Sequence, residues 1–114
     1  MSYIARTGWL AATPELRDGE HGPYCFARVL VTDRIKEGDA WRDGAVTAYD
    51  LTVSGNQAVR LVSTAEACGN TEITFTGSLV TDVWGDNNDK LANKVRADTV
   101  AVALRTQTVT AIDK

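Results

Sequence analysis

The sequence predicts an all-β domain with one short helix: a five-stranded Greek-key barrel, with the helix between the third and fourth strands. Three observations carry that expectation. Thr and Val are frequent and there are only 2 Pro residues, a composition that suits pleated strands. Apolar residues recur at every second position in several separate segments, the period of a strand with one buried face. A single segment, beginning at Asn56, breaks to helical spacing.

Residues 4–13 are apolar enough for a first strand, and Pro14 ends it. The Gly19-Glu20-His21-Gly22-Pro23 cluster reads as a turn, with His21 a solvated loop residue. The second strand alternates cleanly. Cys25, Ala27, Val29 and Val31 make a small apolar face that suits a core. Tyr24, Phe26, Arg28, Leu30 and Thr32 make the other face, which is either a binding surface or a subunit contact. Residues 34–44 are polar and contain Gly, so a long loop is expected there. The third strand, residues 45–54, puts Tyr49, Leu51 and Val53 inward and Ala48, Asp50, Thr52 and Ser54 outward.

From Asn56 the apolar residues Ala58, Leu61, Val62, Ala65 and Cys68 form one helical stripe about three turns long. Ser54 or Asn56 is the expected N-cap, and Gly69 suits the left-handed position after the helix. The fourth strand, residues 71–84, points Ile73, Phe75 and Leu79 one way, and Gly77 on that face suggests a bend or a close approach. Gly85-Asp86-Asn87-Asn88-Asp89 is a hairpin loop. Residues 91–105 form the last strand and 106–114 a polar tail. Five strands in this order, with the helix after the third, are the order of the OB-fold.

The 114 residues suffice for one domain. No apolar run approaches the ~18 residues of a membrane span, and the first residues lack a signal-peptide pattern. Cys25 and Cys68 are expected to be reduced, small and buried, with neither CxxC nor HxxxH spacing beside them. A Gly-rich phosphate loop, GxSxG and HExxH are all missing, so no enzyme, metal site or cofactor is expected. The net charge of −3 taken alone weighs against a nucleic-acid binder. Its distribution is uneven. Residues 1–34 are neutral, 35–55 and 56–84 each carry −2, and 85–114 carry +1. The acidic surplus therefore falls in the middle of the chain.

Several motifs, in order, resemble the bacterial and phage single-stranded DNA-binding proteins, in a form like the actinobacterial ones. Gly8-Trp9-Leu10 followed by Pro14-Glu15-Leu16-Arg17 resembles the family's opening strand and turn. Phe26-Ala27-Arg28-Val29 resembles its second strand, and Trp41-Arg42-Asp43-Gly44 the loop before its third. Gly77-Ser78-Leu79 with Trp84, then residues 95–105, are similar to its last two strands. The resemblance covers residues 8–108. It implies that residues 1–108 are an OB-fold domain and 109–114 a short tail. It further implies a homotetramer, a dimer of dimers, that coats single-stranded DNA without strong sequence preference in replication, recombination or repair. Such a protein is cytoplasmic, nucleoid-associated when bound, and works without catalysis.

The resemblance implies base stacking on Trp84, Phe26 and Trp41, and phosphate contacts from Arg17, Arg28, Arg34, Arg42, Lys90, Lys94 and Arg96. Stacking tolerates any sequence because every base has a π-face. Lys90, Lys94 and Arg96 share one face of the last strand, near the hairpin and Trp84. Trp84 and Trp41 are alternatively packing rings, and Phe26 with Arg28 alternatively a dimer surface. The chain departs from the family at three places. Ala48 and Ser54 stand where its third strand usually carries exposed aromatics. Trp9 stands at a usually small polar position, where packing or a subunit contact is as good a reading as stacking. The Gly-rich extension and the acidic, Phe-ending tip are absent, which puts tail-mediated protein partners in doubt. A second reading follows: a degenerate OB-fold relative that acts as an oligomeric protein-interaction module with weak DNA binding.

Overall fold

The alternating segments become strands whose buried positions are the expected ones. A computed structural model describes residues 2–87 and 89–109. Its elements are β1 (Ser2–Leu10), β2 (Leu16–Gly19), β3 (Gly22–Glu37), β4 (Ala40–Ser54), α1 (Asn56–Cys68), β5 (Glu72–Trp84) and β6 (Lys90–Val102). The strands follow the order β1-β5-β6-β4-β3-β2, and β1 pairs a second time with β3. That second pairing, Trp9 to Leu30 and Leu10 to Val29, closes β1, β5, β6, β4 and β3 into a five-stranded barrel. All neighbours are antiparallel except β4 and β6, which run parallel. The helix lies between β4 and β5, and the whole is an OB-fold.

Cys25, Ala27, Val29 and Val31 of β3 and Tyr49, Leu51 and Val53 of β4 meet Ile73, Phe75 and Val95 inside. Helix α1 seals one end with Ala58, Leu61, Val62 and Ala65. Phe75 is fully buried, with its ring 5.6 Å from that of Tyr49. Each large side chain so buried contributes about 1.5–3 kcal/mol, which is why the inward parity is so strictly kept.

Closure depends on two glycines. A Cβ at Gly8 would run into the carbonyl oxygen of Leu30, and one at Gly77 into that of Arg96. At Gly77 the β5–β6 register shifts, Gly77 pairing with Ala97 and Thr76 with Thr99, so Asp98 is the extra residue of a bulge. The Gln57 side chain repairs the interrupted ladder. Its Nε2 donates to the Asp98 carbonyl (3.1 Å) and its Oε1 accepts from the Val100 N–H (2.7 Å), which ties the helix to the bulge.

One carboxylate is buried. Glu72 is 2% exposed. Arg105 grips both its oxygens, at 3.0 and 2.7 Å, and Thr106 Oγ1 donates at 2.8 Å. The Gln107 side chain pairs with both the N–H and the C=O of the same residue. These bonds, with Arg105 first, hold the Glu72 carboxyl below the usual carboxylate range despite its burial. They also fasten the segment after β6 across β5.

Several sequence expectations need correction. Residues 34–44 are not a long loop. They are the paired ends of β3 and β4, from Arg34–Asp43 to Glu37–Ala40, around a tight turn at Gly38-Asp39. Both faces of this ribbon meet water, so it carries no apolar alternation to betray it. The Pro-Glu-Leu-Arg turn leads into a sixth strand, β2, which pairs only with the edge of β3. The radius of gyration, 15.4 Å, exceeds the roughly 13 Å of a compact chain this long because hairpins extend beyond the barrel.

The first strand ends at Leu10 and the last at Val102, each short of the expected boundary. Neither Ser54 nor Asn56 caps α1. Ser54 is spent pairing with Tyr24, Asn56 is the first helical residue, and Gly55 is the N-cap without a side-chain bond. Gly69 has the expected positive φ of 76°, yet its ψ of −147° lies outside the left-handed helical basin. Cys25 is buried, but Cys68 is exposed, because burial along the helix stops at Ala65. Asn88 of the 85–89 loop and tail residues 110–114 lie outside the described residues. Among the described residues no helix is long and apolar enough to cross a membrane.

Two measurements check these constraints. Gly77→Ala should lower unfolding stability by about 1–3 kcal/mol, the usual scale for forcing atoms into a filled site. Glu72→Gln should cost about 1–2 kcal/mol at neutral pH. The Glu72 pKa is lowered on folding, so its contribution is present above the ordinary carboxylate range and is lost as pH falls through the depressed value. Urea titrations across that acid window should show a shallower pH dependence for the variant.

Candidate functional site

The outward positions of the central strands form a continuous face, and backbone pairing sets its rows. Arg17 of β2 pairs with Tyr24 of β3, and Tyr24 with Ser54 of β4. The next row runs Phe26, Thr52, Arg96, Ser78 across β3, β4, β6 and β5. The row beyond runs Arg28, Asp50, Lys94, Val80. These residues alternate with the buried Cys25, Ala27, Leu51, Val53 and Val95, so one pleat side carries them all.

An aromatic and basic cluster sits at one end. Phe26 is 56% exposed. Its ring centre lies 5.5 Å from that of Tyr24 in an edge-to-face contact, and the Arg17 guanidinium lies 5.8 Å over it. The centre of the face is an ordered ladder of charge. Arg28 meets Asp50 at 3.3 Å and Lys94 meets Asp82 at 2.8 Å. The hydrogen bond to Asp82, its charge, and then that of Asp50 push the Lys94 ammonium above the usual lysine value. Among the described residues Arg17, Lys90 and Arg96 make no ion pair.

Trp84 and Lys90 pair at the end of the β5–β6 ribbon, on the pleat side of Val80 and Lys94. Lys90, Lys94 and Arg96 therefore do share a face, as their parity predicts. Trp41 lies on β4 and not in a loop. It pairs with Lys36, whose ammonium is 6.0 Å over its ring. Arg42 pairs with Ile35, so it occupies the opposite pleat side from Trp41, and it binds Glu37. Arg34 faces Asp43 at 3.3 Å. The structure thus gathers Arg17, Phe26, Arg28, Lys94 and Arg96, continues the same side to Lys90 and Trp84, and sets Trp41, Arg42 and Arg34 apart on the other ribbon.

Sequence reasoning did not select Tyr24 or Lys36. Tyr24 was accessible to it, since it has the parity of Phe26. Lys36 was hidden because its place over Trp41 depends on strand pairing within a segment that reads as a loop. Planar rings, guanidinium groups and ammonium groups point to solvent from this face. Such a surface suits extended, planar, anionic ligands.

No known family model matches the chain, and no curated protein matches it. Among solved structures it is similar to a small single-stranded DNA-binding protein from Streptomyces coelicolor. The TM-score is 0.79 and the identity 20%, over 93% of this chain and 97% of the other. At that identity the likeness establishes the fold, and it agrees with the barrel described above.

The ladder itself is open to test. Asp82→Asn should return the Lys94 titration toward the ordinary ammonium range, read by NMR of the side-chain nitrogen. Because the Lys94 pKa is raised, the Asp82 contact acts throughout neutral pH and is lost only as pH climbs through the raised value.

Proposed function

We propose that the chain is a single-stranded DNA-binding protein that coats and protects DNA without strong sequence preference and without catalysis. One observation carries this reading: exposed rings and unpaired cations share the outward side of an OB barrel, Phe26 beside Arg17 at one end and Trp84 beside Lys90 at the other. The solved structure it resembles is named a single-stranded DNA-binding protein, which supports the reading. Bases stack on Phe26 and Trp84, with Trp41 as a further ring on the other ribbon. Phosphates meet Arg17, Lys90 and Arg96 first, because these have no carboxylate to leave. Arg28 and Lys94 exchange Asp50 and Asp82 for phosphate at some cost, and Arg34 and Arg42 are similarly engaged.

The unit is the barrel of residues 1–108, assembled as a homotetramer, a dimer of dimers. It serves replication, recombination or repair in the cytoplasm and joins the nucleoid when bound to DNA. The compensated charges at the centre also favour the second reading, an oligomeric protein-interaction module with weak DNA binding. A double Phe26→Ala, Trp84→Ala variant separates the two. It loses DNA under the first reading and keeps its protein partners under the second.

Oligo-dT should quench tryptophan emission, and affinity should fall with salt. Three phosphate contacts on a single strand give a log–log slope of about −2, and five give about −3.5. Phe26→Ala should weaken binding by about 1–3 kcal/mol. Asp50→Asn, which releases Arg28 and relieves Lys94, should tighten it and steepen the slope. An unquenched protein with no gel shift at low salt overturns the proposal.

A further inference from the structure

Trp9 occupies the seam where β1 changes partners. It pairs with Glu72 of β5 and with Leu30 of β3. Its neighbours Gly8 and Leu10 are buried, so alternation turns Trp9 to the outward side, where it is 44% exposed. Its row continues through Leu30 to Ala48, because Leu30 pairs with Ala48 on β4. Ala48 is small, so the row stays low beside the ring. Leu30 follows Arg28 and Phe26 on the same side of β3, so the Trp9 row directly extends the face described above.

Trp9 also lines a cleft of about 470 Å³ with Leu30, Arg34, Arg105 and the carboxylates Asp43 and Glu72, which pair with the two guanidinium groups at 3.3 and 2.7 Å. This is within the range of clefts that hold small planar ligands, roughly 300–1,000 Å³. Two guanidinium groups stand at its walls, with side chains 60% and 67% exposed. The Glu72 bonds hold Arg105 in place, so that cation is positioned before any ligand arrives. Strand geometry puts Trp9 roughly 14 Å from Phe26, four residues along and one strand across.

We propose that this cleft is a base-stacking subsite: Trp9 stacks one nucleobase of a single strand, Arg105 meets a flanking phosphate through the N–H groups its Glu72 pair does not use, and Arg34 meets the other in exchange for Asp43. The subsite rests on the DNA-binding reading and extends it across the barrel seam, so that the strand path runs from Phe26 past Arg28 and Leu30 to β1. The second ring of the path thus comes from β1, where β4 offers only Ala48.

The test uses the full chain carrying Trp41→Phe and Trp84→Phe, which keeps those rings and leaves Trp9 the sole indole. Saturating oligo-dT should quench its emission, and oligonucleotides carrying 5-bromodeoxyuridine should photocrosslink to Trp9 in peptide mapping. Trp9→Ala in the otherwise unchanged protein should weaken binding at least about five-fold at an unaltered melting temperature, and Trp9→Phe should restore most of it. Should Trp9→Ala unfold, quenching and crosslinking in the sole-indole chain decide alone. DNA binding with unquenched, uncrosslinked Trp9 overturns the subsite and leaves the wider reading standing. A Trp9→Ala protein that binds as tightly as the original, or that only changes its oligomeric state in sedimentation, also overturns the subsite. Absence of binding by the unmutated chain overturns both.

Discussion

The close approach of β1 to β3 at Gly8 is the contact on which the rest of the barrel depends. The Leu30 carbonyl oxygen lies where a Cβ on residue 8 would be, so any other residue there would push the two strands apart. Without that approach Trp9 and Leu10 would not meet Leu30 and Val29, and β1 would remain the free edge of an open sheet. Closure removes the exposed edge and turns two sheet faces into an inside and an outside. Gly77 does the same service on the far side, where it lets the bulge at Asp98 curve β5 and β6 around the core. The helix enters this geometry through Gln57, whose amide bonds the bulge that curvature leaves unpaired.

Once inside and outside are separate, the outer face can hold groups that a core would exclude. Its charges are arranged in alternating order, Arg28, Asp50, Lys94 and Asp82 crossing four strands. Exposed pairs of this sort add little to stability, on the order of 0–1 kcal/mol each. Under the proposed DNA-binding reading their main effect is on phosphate binding. A phosphate arriving at Arg28 or Lys94 must displace a carboxylate, whereas at Arg17, Lys90 or Arg96 it displaces only water. The face therefore attracts anions most strongly at Arg17, Lys90 and Arg96 and least along the ladder from Arg28 to Asp82.

Alternation made the barrel legible: the inward residues of β3, β4 and β5 and the helical stripe through Ala65 all follow from period alone. What escaped were places where no buried face imposes a period. The ribbon at residues 34–44 has water on both sides, so its strands, Trp41 included, look like a loop in sequence. Cys68 continues the helical stripe in spacing, but the helix outruns its contact with the barrel. The rows of the candidate site were half legible. Parity put Tyr24, Phe26 and Arg28 together, and put Lys90, Lys94 and Arg96 together. Register between strands then decided that Phe26 and Arg96 share a row, and that Arg28 faces Asp50. Register depends on bulges and closure, which leave little trace in local sequence.

The net charge of −3 is compatible with the proposed DNA-binding face because the two quantities describe different surfaces. Glu66 on the exposed stretch of the helix and Asp39 at the β3–β4 turn count against the total but lie on other elements than the outward rows of β2, β3 and β6. Glu72 counts too, yet its charge is buried and spent on Arg105. On the rows themselves Arg17, Arg28, Lys94 and Arg96 stand against Asp50 and Asp82, an excess of two cations before Lys90 is added. An excess that small gives only modest electrostatic affinity, so a tight complex must draw on stacking, at about 1–3 kcal/mol per base. The rings able to supply it come from different strands: Phe26 and Tyr24 from β3, Trp84 from β5, Trp41 from β4 and Trp9 from β1. Binding that relies on dispersed rings is held by many weak, sequence-blind contacts, and it is less sensitive to salt than binding through phosphates alone.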